Sequence, residues 1–391
     1  MNKQQQIEEL LSRGVTEIIN KAELQELLGG KKKLRVKLGI DPTSPNIHIG
    51  RAVVLWKLRA FQDLGHQVVF IVGDFTGLIG DTSDKDAERP MLTEAQVKLN
   101  LKSYLAQAFK ILDKSKTETH FNSKWLKKLG FKEIGEMANM FGLHEFEARE
   151  NISKRLKAGK RVSLRELLYP LMQGYDSVAV KADIELGGTD QRFNLLAGRT
   201  LQPNYGQRPQ QIITTDLLEG TDGRKMSSSW GNVVNLLDEP QDMFGKIMSI
   251  NDSLIERYFV LATRVPLKEV EAVILKNKNP RDQKLILAER VTAMYHGDKK
   301  ASEARQQFIS QFSKKELPSD IPEIKIAPGS YQLTELLLKA KLVVSKSEAR
   351  RLIEQKGVRM NGEVAESQLV TIAKQNNLLL QVGKRKFVTI K

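Results

Sequence analysis

The stretch LRVKLGIDPTSPNIHIGRAVVLWKLRAFQDLGHQVVFIVGDFTG, residues 34–77, decides the fold class. Its first seven residues are a largely apolar run that stops at Asp41 and a proline, which predicts a buried strand followed by a loop. The segment IGRAVVLWKLRAFQDLGH then carries apolar side chains at helical spacing, and HQVVFIVGDFTG is a second β-rich run that ends at glycine. Strand, loop, helix and strand in this order predict a parallel βαβ unit.

Further segments extend this α/β pattern. ADIELGG and QQIITTDLL read as later strands, whereas the region from Thr93 to about Gln173 is mostly helical and is predicted to be an insertion. Ligands of parallel sheets bind at the carboxyl ends of the strands, where residues 41–50 and 73–81 would fall. The segment LEGTDGRKMSSSWGN has little bulk to pack and is predicted to be a mobile loop.

The C-terminal part of the chain changes character. Helical patterns resume from Gln241 to about Phe312, a segment with three prolines follows, and a compact unit with short strands ends the chain. These changes predict a catalytic domain at 1–230 with its insertion at about 93–173. They further predict a helical domain at 231–315, a linker at 316–329 and a small α+β domain at 330–391.

Composition excludes several kinds of chemistry. The 391 residues include no cysteine, which rules out disulfides, thiolate zinc sites and cysteine nucleophiles. No apolar run approaches the roughly 20 residues that cross a bilayer. We therefore expect a cytoplasmic protein without a membrane span.

The net charge of +15 favours a polyanionic partner, because clustered cations release counterions from phosphate backbones. A generally basic, solvated surface is the alternative. From Ser330 to the end, twelve Lys and Arg face five Glu, so the excess is concentrated at one end of the chain. This concentration favours RNA over the alternative.

Two short motifs could bind phosphate. His48 stands before a predicted helix, where an imidazole and free helix N–H groups favour an anion, although in isolation an ordinary core or surface histidine explains it better. In RKMSSS, Lys225 and three hydroxyl groups could close over a triphosphate. Taken alone, that segment could also be an exposed basic loop.

Together, HIGR (residues 48–51) and KMSSS (225–229) resemble the HIGH and KMSKS signatures of class I aminoacyl-tRNA synthetases. The intervening blocks GIDPTSPN, VGDFTGLIGDTSD and YPLMQGYDSVAVKADIELGGTDQ resemble the tyrosyl-tRNA synthetase family, and the C-terminal unit resembles an S4-type RNA-binding domain. The resemblance implies a Rossmann-like parallel-sheet catalytic domain with a helical insertion, then an α-helical tRNA-binding domain and a small α+β S4-like domain.

The resemblance also implies a two-step reaction. Tyrosine and ATP give tyrosyl-adenylate and pyrophosphate, and the tyrosyl group passes to the 3′-terminal adenosine of tRNA(Tyr). The attacking carboxylate is already ionised near pH 7, so positioning and charge stabilisation can carry the first step without a strong base. Mg²⁺ would enter bound to ATP rather than in a protein-held site, and two chains would pair through the helical insertion.

Site residues are carried over from the family motifs. The resemblance implies a catalytic set of His48, Arg51, Lys225, Ser227 and Ser229, and an ATP-binding set of Thr43, His48, Gly50, Asp190, Lys225 and Met226. It implies a tyrosine-binding set of Asp81, Tyr169, Gln173, Asp176 and Gln191, with Asp176 on the phenol. Lys85 and Arg89 correspond to pyrophosphate contacts, with a solvated loop as the alternative, and Lys346, Arg350, Arg351, Lys356 and Arg359 to RNA contacts.

The residues support one of these assignments independently and give a second one a competing role. Tyr169, Gln173 and Asp176 are spaced by four and three, which places them on one helical face, although a solvated face would show the same spacing. Asp190 corresponds to a ribose contact, but Asp190 or Thr189 could equally cap the following helix.

Three departures from the family pattern stand out. Arg51 replaces the second histidine of HIGH, which keeps a cation but changes its reach. KMSSS has Ser228 where the family has a second lysine. Lys37 replaces a tyrosine that reads the substrate phenol, so either it enters the pocket and pairs with Asp176, or it points away and the pocket loses one contact.

Rival functions share parts of this pattern. A tryptophanyl-tRNA synthetase would carry both motifs, but Asp176 in its block favours a phenol over an indole. A small-molecule nucleotidyltransferase would not explain KMSSS and the basic C-terminus. An RNA-binding paralogue without activity is motivated by Arg51 and Ser228, and the retained His48 and Lys225 argue against it.

Overall fold

The chain folds into two compact units, Met1–Arg305 and Gln306–Lys391, and the boundary falls inside the helix Asp298–Ser313. The computed structural model describes residues 2–81, 91–313, 321–365, 369–372, 377–383 and 386–391.

A mixed sheet forms the centre of the first unit. Among the described residues its six strands are β1 (Val15–Ile18), β2 (Arg35–Ile40), β3 (Gln67–Val72), β4 (Thr117–Phe121), β5 (Ile184–Gly188) and β6 (Gln211–Thr215). They lie in the order β1-β6-β5-β2-β3-β4, and only β1 is antiparallel to its neighbour among these strands. Strands β2 and β5 are adjacent although far apart in sequence, so the strand order reverses between them and a crevice opens at their carboxyl ends.

Helices cover both faces of the sheet, as buried parallel strands require. The helices of the first unit are α1 (Lys3–Leu10), α2 (Lys21–Gly29), α3 (Ile49–Asp63), α4 (Thr76–Ile79), α5 (Glu94–Ala108), α6 (Ser123–Leu126), α7 (Phe131–Ala138), α8 (Leu143–Glu147), α9 (Glu150–Lys157), α10 (Leu164–Val180), α11 (Arg192–Leu201), α12 (Pro240–Met248), α13 (Ile255–Ala262), α14 (Leu267–Lys276) and α15 (Pro280–His296). Helix α16 (Asp298–Ser313) reaches the boundary between the units.

Packing explains why the opening stretch folds as predicted. Helix α3 buries Leu55, Leu58 and Phe61 completely, at the helical spacing seen in the sequence. In β3, four consecutive apolar side chains from Val68 to Ile71 are fully buried. Each such side chain contributes about 1.5–3 kcal/mol when removed from water, so this unit holds the end of β2 and the start of α3 firmly together.

Two strands were not foreseen. Strand β4 lies inside the region predicted to be mostly helical and extends the sheet beside β3. Its sequence, TETHF, is only partly buried because it lies at an edge, so it lacks the apolar run that identified the central strands. Strand β1 lies at the opposite edge.

The second unit is a small α+β structure. Its elements are β7 (Glu323–Ile324), β8 (Gly329–Gln332), α17 (Leu333–Lys339), α18 (Lys346–Glu354), β9 (Val358–Met360), β10 (Glu363–Val364), β11 (Leu369–Ile372), β12 (Leu378–Val382) and β13 (Lys386–Ile390). Leu333, Leu336 and Leu337 of α17 pack with Leu380 and Ile390 of the sheet. Strand β7 pairs with β13, so part of the predicted linker belongs to this sheet. None of the described helices in either unit combines the length and apolarity that a bilayer crossing needs.

Candidate functional site

A cavity of about 280 Å³ opens where β2 and β5 end and α3 begins. The residues predicted from the motifs that line it are Thr43, His48, Gly50, Arg51, Asp81, Tyr169, Gln173, Asp190, Gln191, Lys225, Met226 and Ser227. This is the crevice that the strand order creates, and the first turn of α3 borders it.

Backbone pairing brings the two sequence motifs together. The chain after KMSSS returns to the start of α3, where the Ile49 N–H donates to Val234 O at 2.8 Å and the Leu236 N–H donates to Ile47 O at 2.9 Å. His48 itself pairs with Asn235 as a β-bridge. The imidazole of His48 and the ammonium of Lys225 therefore face one cavity although 177 positions separate them in the sequence.

His48 is an uncharged hydrogen-bond donor in this setting. Burial lowers its pKa to about 3, assisted by the positive charges of Arg51 and Lys225. Its Nδ1 accepts the Arg51 N–H at 3.3 Å and caps α3, so the ring proton resides on Nε2. A Cβ at Gly50 would come within 3.0 Å of that ring and 3.3 Å of Met226 Sδ, which explains the glycine.

Lys225 lies on a loop that hydrogen bonds hold in place. Its ammonium lies 3.1 Å from the carboxylate of Asp190, and the pair is partly exposed. The side chain of Asn232 accepts the Ser227 N–H at 2.8 Å and donates to Asp222 at 2.7 Å. These hydrogen bonds connect the last residue of the segment that the sequence predicts to be a mobile loop to residues nearer its start. Asp190 binds Lys225 and forms no helix cap, and neither does Thr189.

Arg51 occupies the position of the second HIGH histidine, at the mouth of the same cavity. Its guanidinium donates to Thr43 Oγ1 at 3.2 Å and to the hydroxyl of Tyr104 at 3.2 Å. The arginine therefore links the β2 loop, α3 and α5 beside the site.

Two carboxylates, those of Asp41 and Asp81, also line the cavity. Asp41, which sequence reasoning did not single out, accepts the Tyr169 hydroxyl at 2.9 Å and the Thr76 hydroxyl at 2.6 Å. Asp81 accepts the side-chain amide of Gln191 at 2.6 Å. Burial raises the pKa of Tyr169 well above its usual value, and the nearby Asp41 and Asp81 raise it further, so its hydroxyl remains a donor. This cluster of negative charge suits an ammonium group.

A buried ion pair orients the side chain of Gln173. Lys37 and Glu185 are both fully buried, 2.8 Å apart, and Lys37 also donates to Gln173 O at 2.9 Å and Ser177 Oγ at 2.8 Å. Glu185 accepts the Gln173 side-chain amide N–H at 3.2 Å. Because a carboxylate only accepts, the amide nitrogen must face Glu185, which leaves Gln173 Oε1 as the acceptor for the cavity.

Lys37 therefore settles the question that the sequence left open: its ammonium pairs with Glu185 and not with Asp176. Asp176 does not line the cavity, and its carboxylate accepts Trp125 Nε1–H at 2.7 Å and Asn122 Nδ2–H at 3.2 Å. Burial raises the pKa of Asp176 to about 7, against the opposing effects of Lys37 and these two donors. Asn122 in turn donates to Thr76, so the hydrogen bonds continue to Asp41.

The remaining predicted residues lie elsewhere. Lys85, Arg89 and the side chain of Ser229 fall outside the described residues. The predicted RNA-binding side chains are all exposed on the second unit, three on α18 and two beyond it: Lys346, Arg350, Arg351, Lys356 and Arg359. Across the described part of the chain, no cluster of three or more His, Asp or Glu could hold a metal ion.

Sequence reasoning missed the supporting partners Asp41, Asn122, Trp125 and Glu185. Asp41 could have been recognised as the polar residue at the carboxyl end of β2, the usual place of a ligand contact. Asn122 and Trp125 are 54 and 51 positions from Asp176, and only the tertiary structure brings them together. Glu185 lies in the same quoted block as Gln173, but the sequence does not show that their side chains are in contact.

Fold and site together define a class I aminoacyl-tRNA synthetase. Residues 30–313 match the family described as "tRNA synthetases class I (W and Y)", and residues 313–390 match the "Tyrosine--tRNA ligase SYY-like C-terminal domain". The chain is 46% identical to the tyrosine–tRNA ligase of Thermotoga maritima over 97% of its own length and 96% of that protein. It is 48% identical to that of Carboxydothermus hydrogenoformans, over 98% and 97%. The chain belongs to the tyrosine–tRNA ligase family.

Solved structures agree on the fold. A tyrosyl-tRNA synthetase from Archaeoglobus fulgidus, complexed with L-tyrosine, matches 78% of this chain and 100% of that one with a TM-score of 0.62 and 21% identity. A C-terminally truncated mitochondrial tyrosyl-tRNA synthetase from Aspergillus nidulans matches 78% and 94%, with a TM-score of 0.66 and 20% identity.

Proposed function

We propose that the cavity at the start of α3 performs both steps of the family reaction, tyrosine activation by ATP and transfer of the tyrosyl group to tRNA(Tyr). The observation that carries this assignment is the convergence of His48 and Lys225 on a cavity that Asp81, Tyr169 and Gln173 also line. Donors for a triphosphate and acceptors for an ammonium group thus line one space.

In the first step, the tyrosine carboxylate attacks the α-phosphorus of ATP and pyrophosphate leaves. His48 donates its Nε2–H, and Lys225 and Arg51 supply positive charge where negative charge develops. Thr43 and Gly50 line the nucleotide path, with Met226 and the hydroxyl of Ser227 beside it. The family motif assigns Ser229 to the same step. Asp190 releases Lys225 and accepts a ribose hydroxyl, and Lys85 and Arg89 contact the leaving pyrophosphate.

Tyrosine binds on the acidic side. Asp81, the Gln173 amide oxygen and the Tyr169 hydroxyl surround its ammonium group, and Gln191 lies near its carboxylate. Asp176 accepts a hydrogen bond from the phenol hydroxyl of the substrate. Its carboxylate already accepts two N–H groups and still has free lone pairs for a third donor.

The remaining assignments concern substrates and domains. MgATP is the nucleotide substrate, with Mg²⁺ held by the phosphates. The catalytic domain spans 1–230 with its insertion at about 93–173, and a helical tRNA-binding domain spans 231–315. The linker that follows is shorter than the predicted 316–329, because β7 (Glu323–Ile324) already belongs to the sheet of the S4-like domain predicted at 330–391. The exposed cations of α18 contact tRNA phosphates there. These substrates favour a cytoplasmic location.

The experiment that tests the proposal is amino-acid-dependent exchange of pyrophosphate into ATP, followed by aminoacylation of tRNA(Tyr). Tyrosine should support both reactions, and phenylalanine and tryptophan should support neither at equal concentration. Exchange that depends on tryptophan would identify the rival specificity, and no exchange at saturating tyrosine would identify an inactive RNA-binding paralogue.

The role of Asp176 predicts a pH dependence. Since its pKa is about 7 without ligand, the carboxylate is mostly protonated at pH 6 and mostly ionised at pH 8. If tyrosine binds the ionised form, its Kd should be about tenfold weaker at pH 6 than at pH 8. Equilibrium dialysis with labelled tyrosine measures this change, and Asp176→Asn should show weak binding that does not vary across the range. An equally steep profile in Asp176→Asn would contradict the assignment.

His48 should act through a neutral N–H. We expect His48→Ala to lower kcat of pyrophosphate exchange about 10²-fold, because one donor to the transition state is lost. His48→Gln places an uncharged N–H at a similar reach and should retain more activity. Since the pKa of His48 is about 3, its charge cannot change between pH 5 and 9. A step near pH 6 in the wild-type kcat profile that disappears in His48→Gln would refute this role.

We also propose that two copies of the chain pair through the insertion. Its helices leave large apolar side chains exposed, among them Leu99 on α5, Phe131 on α7, Leu143 on α8 and Leu164 on α10. Exposed apolar surface of this kind indicates a protein interface. Light scattering after size exclusion should give a dimer, and Phe131→Glu with Leu164→Glu should give a monomer. Leu275→Glu on α14, at a position that is also highly exposed but lies outside the insertion, should remain dimeric.

A further inference from the structure

A second cavity of about 410 Å³ lies away from the catalytic cavity and shares none of its lining residues. It lies between α1, the middle of α3 and the end of α13. Its walls are largely apolar and include Leu10, Val53, Trp56, Leu261 and Pro266. A space of this size and lining suits a small organic molecule.

Two of the three cationic side chains that line this cavity are paired with a carboxylate. Arg13 is paired with Glu9 at 2.6 Å, and Arg264 with Asp63 at 3.4 Å. Lys57 is 6% exposed and donates to Leu10 O at 2.7 Å and Arg13 O at 2.6 Å, which accounts for two of its three N–H groups.

No carboxylate of the described residues lies within ion-pair distance of Lys57. Burial lowers the pKa of Lys57 to about 7, and the charges of Arg13 and Arg264 lower it further against the weaker opposing effect of Glu9. The cavity therefore combines a cation that has no anionic partner among the described residues with a lining that is apolar in large part.

We propose that this cavity binds a small molecule with an apolar body and one carboxylate, whose oxygens pair with the ammonium of Lys57. The carboxylate supplies the missing negative charge, and the apolar body covers Leu10, Val53 and Trp56. A zwitterionic amino acid fits less well, because its ammonium group would be repelled by Lys57, Arg13 and Arg264. We therefore expect tyrosine to bind more weakly than a ligand that carries a carboxylate alone.

The position of the cavity relates it to the catalytic site. Helix α3 carries His48 at its start and lines the second cavity with Val53, Trp56 and Lys57. Helix α13 lines it with Leu261, while Tyr258 of the same helix donates to Glu219 O at 2.6 Å, just before the Lys225 loop. A carboxylate bound in the second cavity would therefore contact α3, which begins at His48, and lie beside α13, which contacts the segment before Lys225.

Titration calorimetry of the full-length protein with octanoate tests the proposal, with 1-octanol as the uncharged analogue of equal chain length. At pH 7 octanoate should bind once per chain and at least tenfold more tightly than 1-octanol, and L-tyrosine should not compete. Binding should take up protons, measured in buffers of different ionisation enthalpy, because a carboxylate raises the pKa of Lys57.

Two variants locate the site. Lys57→Met should bind octanoate at least tenfold more weakly without proton uptake, and should bind 1-octanol as the wild type does. Ala60→Met keeps Lys57 and should block both ligands by filling the cavity. Lys102→Met, an exposed change on α5, should bind as the wild type does. Equal affinities for octanoate and 1-octanol, unchanged octanoate binding in Lys57→Met, or no binding at all would overturn the proposal.

Discussion

Lys225→Ala should lower kcat of tyrosine-dependent pyrophosphate exchange by about 10²–10³-fold while the KM for tyrosine changes little. The ammonium faces the cavity from the nucleotide side and lies 3.1 Å from the carboxylate of Asp190, the residue assigned to ribose. ATP must therefore replace Asp190 as the ionic partner of Lys225. The positive charge of Lys225 is then available to stabilise the pentacovalent phosphorus. Losing it removes an interaction that is strongest in the transition state, which lowers kcat rather than tyrosine affinity.

The stability of this variant provides a control. The Lys225–Asp190 pair is partly exposed, so its loss should cost no more than about 1 kcal/mol of the free energy of unfolding. Lys225→Arg keeps the charge and should retain more activity than the alanine variant. Lys276→Ala, at an exposed position on α14, should be fully active. Exchange within fivefold of the wild type in Lys225→Ala would refute the assignment.

The central fold was predictable because its signals are local. Strands β2 and β3 are apolar runs, and α3 has a clear helical stripe, so each segment indicates its own structure. The edge strands β1 and β4 lack such a run, because an edge strand is not buried on every side. His48 and Lys225 could be recognised as site residues because each lies in a short, distinctive motif, which is also a local signal.

What the sequence could not provide was the pairing of side chains across the core. Lys37 was equally compatible with a contact to Asp176 and with a position outside the pocket. Its actual partner, Glu185, stands 148 positions away on the neighbouring strand β5. That pairing depends on the register of β2 against β5, where Lys37 lies opposite Glu185. Register follows from the packing of the whole sheet, which one segment does not determine.

The buried Lys37–Glu185 pair should contribute more to the free energy of unfolding than any exposed ion pair of the described residues. Lys37→Met leaves the Glu185 carboxylate fully buried without its cation, so the free energy of unfolding should fall by about 3–5 kcal/mol. The same change in the exposed pair Lys154–Glu150 should cost less than about 1 kcal/mol. Urea denaturation measures both, and equal losses in the two variants would show that burial of the Lys37 pair has no such effect.

The double variant Lys37→Met/Glu185→Gln separates folding from tyrosine binding. Removing both charges should restore more than half of the lost stability, because no buried charge remains unpaired. Yet the amide that replaces the Glu185 carboxylate can offer either an oxygen or an N–H to Gln173, so the Gln173 amide is no longer forced to turn its oxygen toward the cavity. We therefore expect the KM for tyrosine to rise about tenfold, consistent with the loss of one hydrogen bond to a charged group, at an unchanged kcat. A stable double variant with wild-type KM would show that the Lys37–Glu185 pair supports the fold alone.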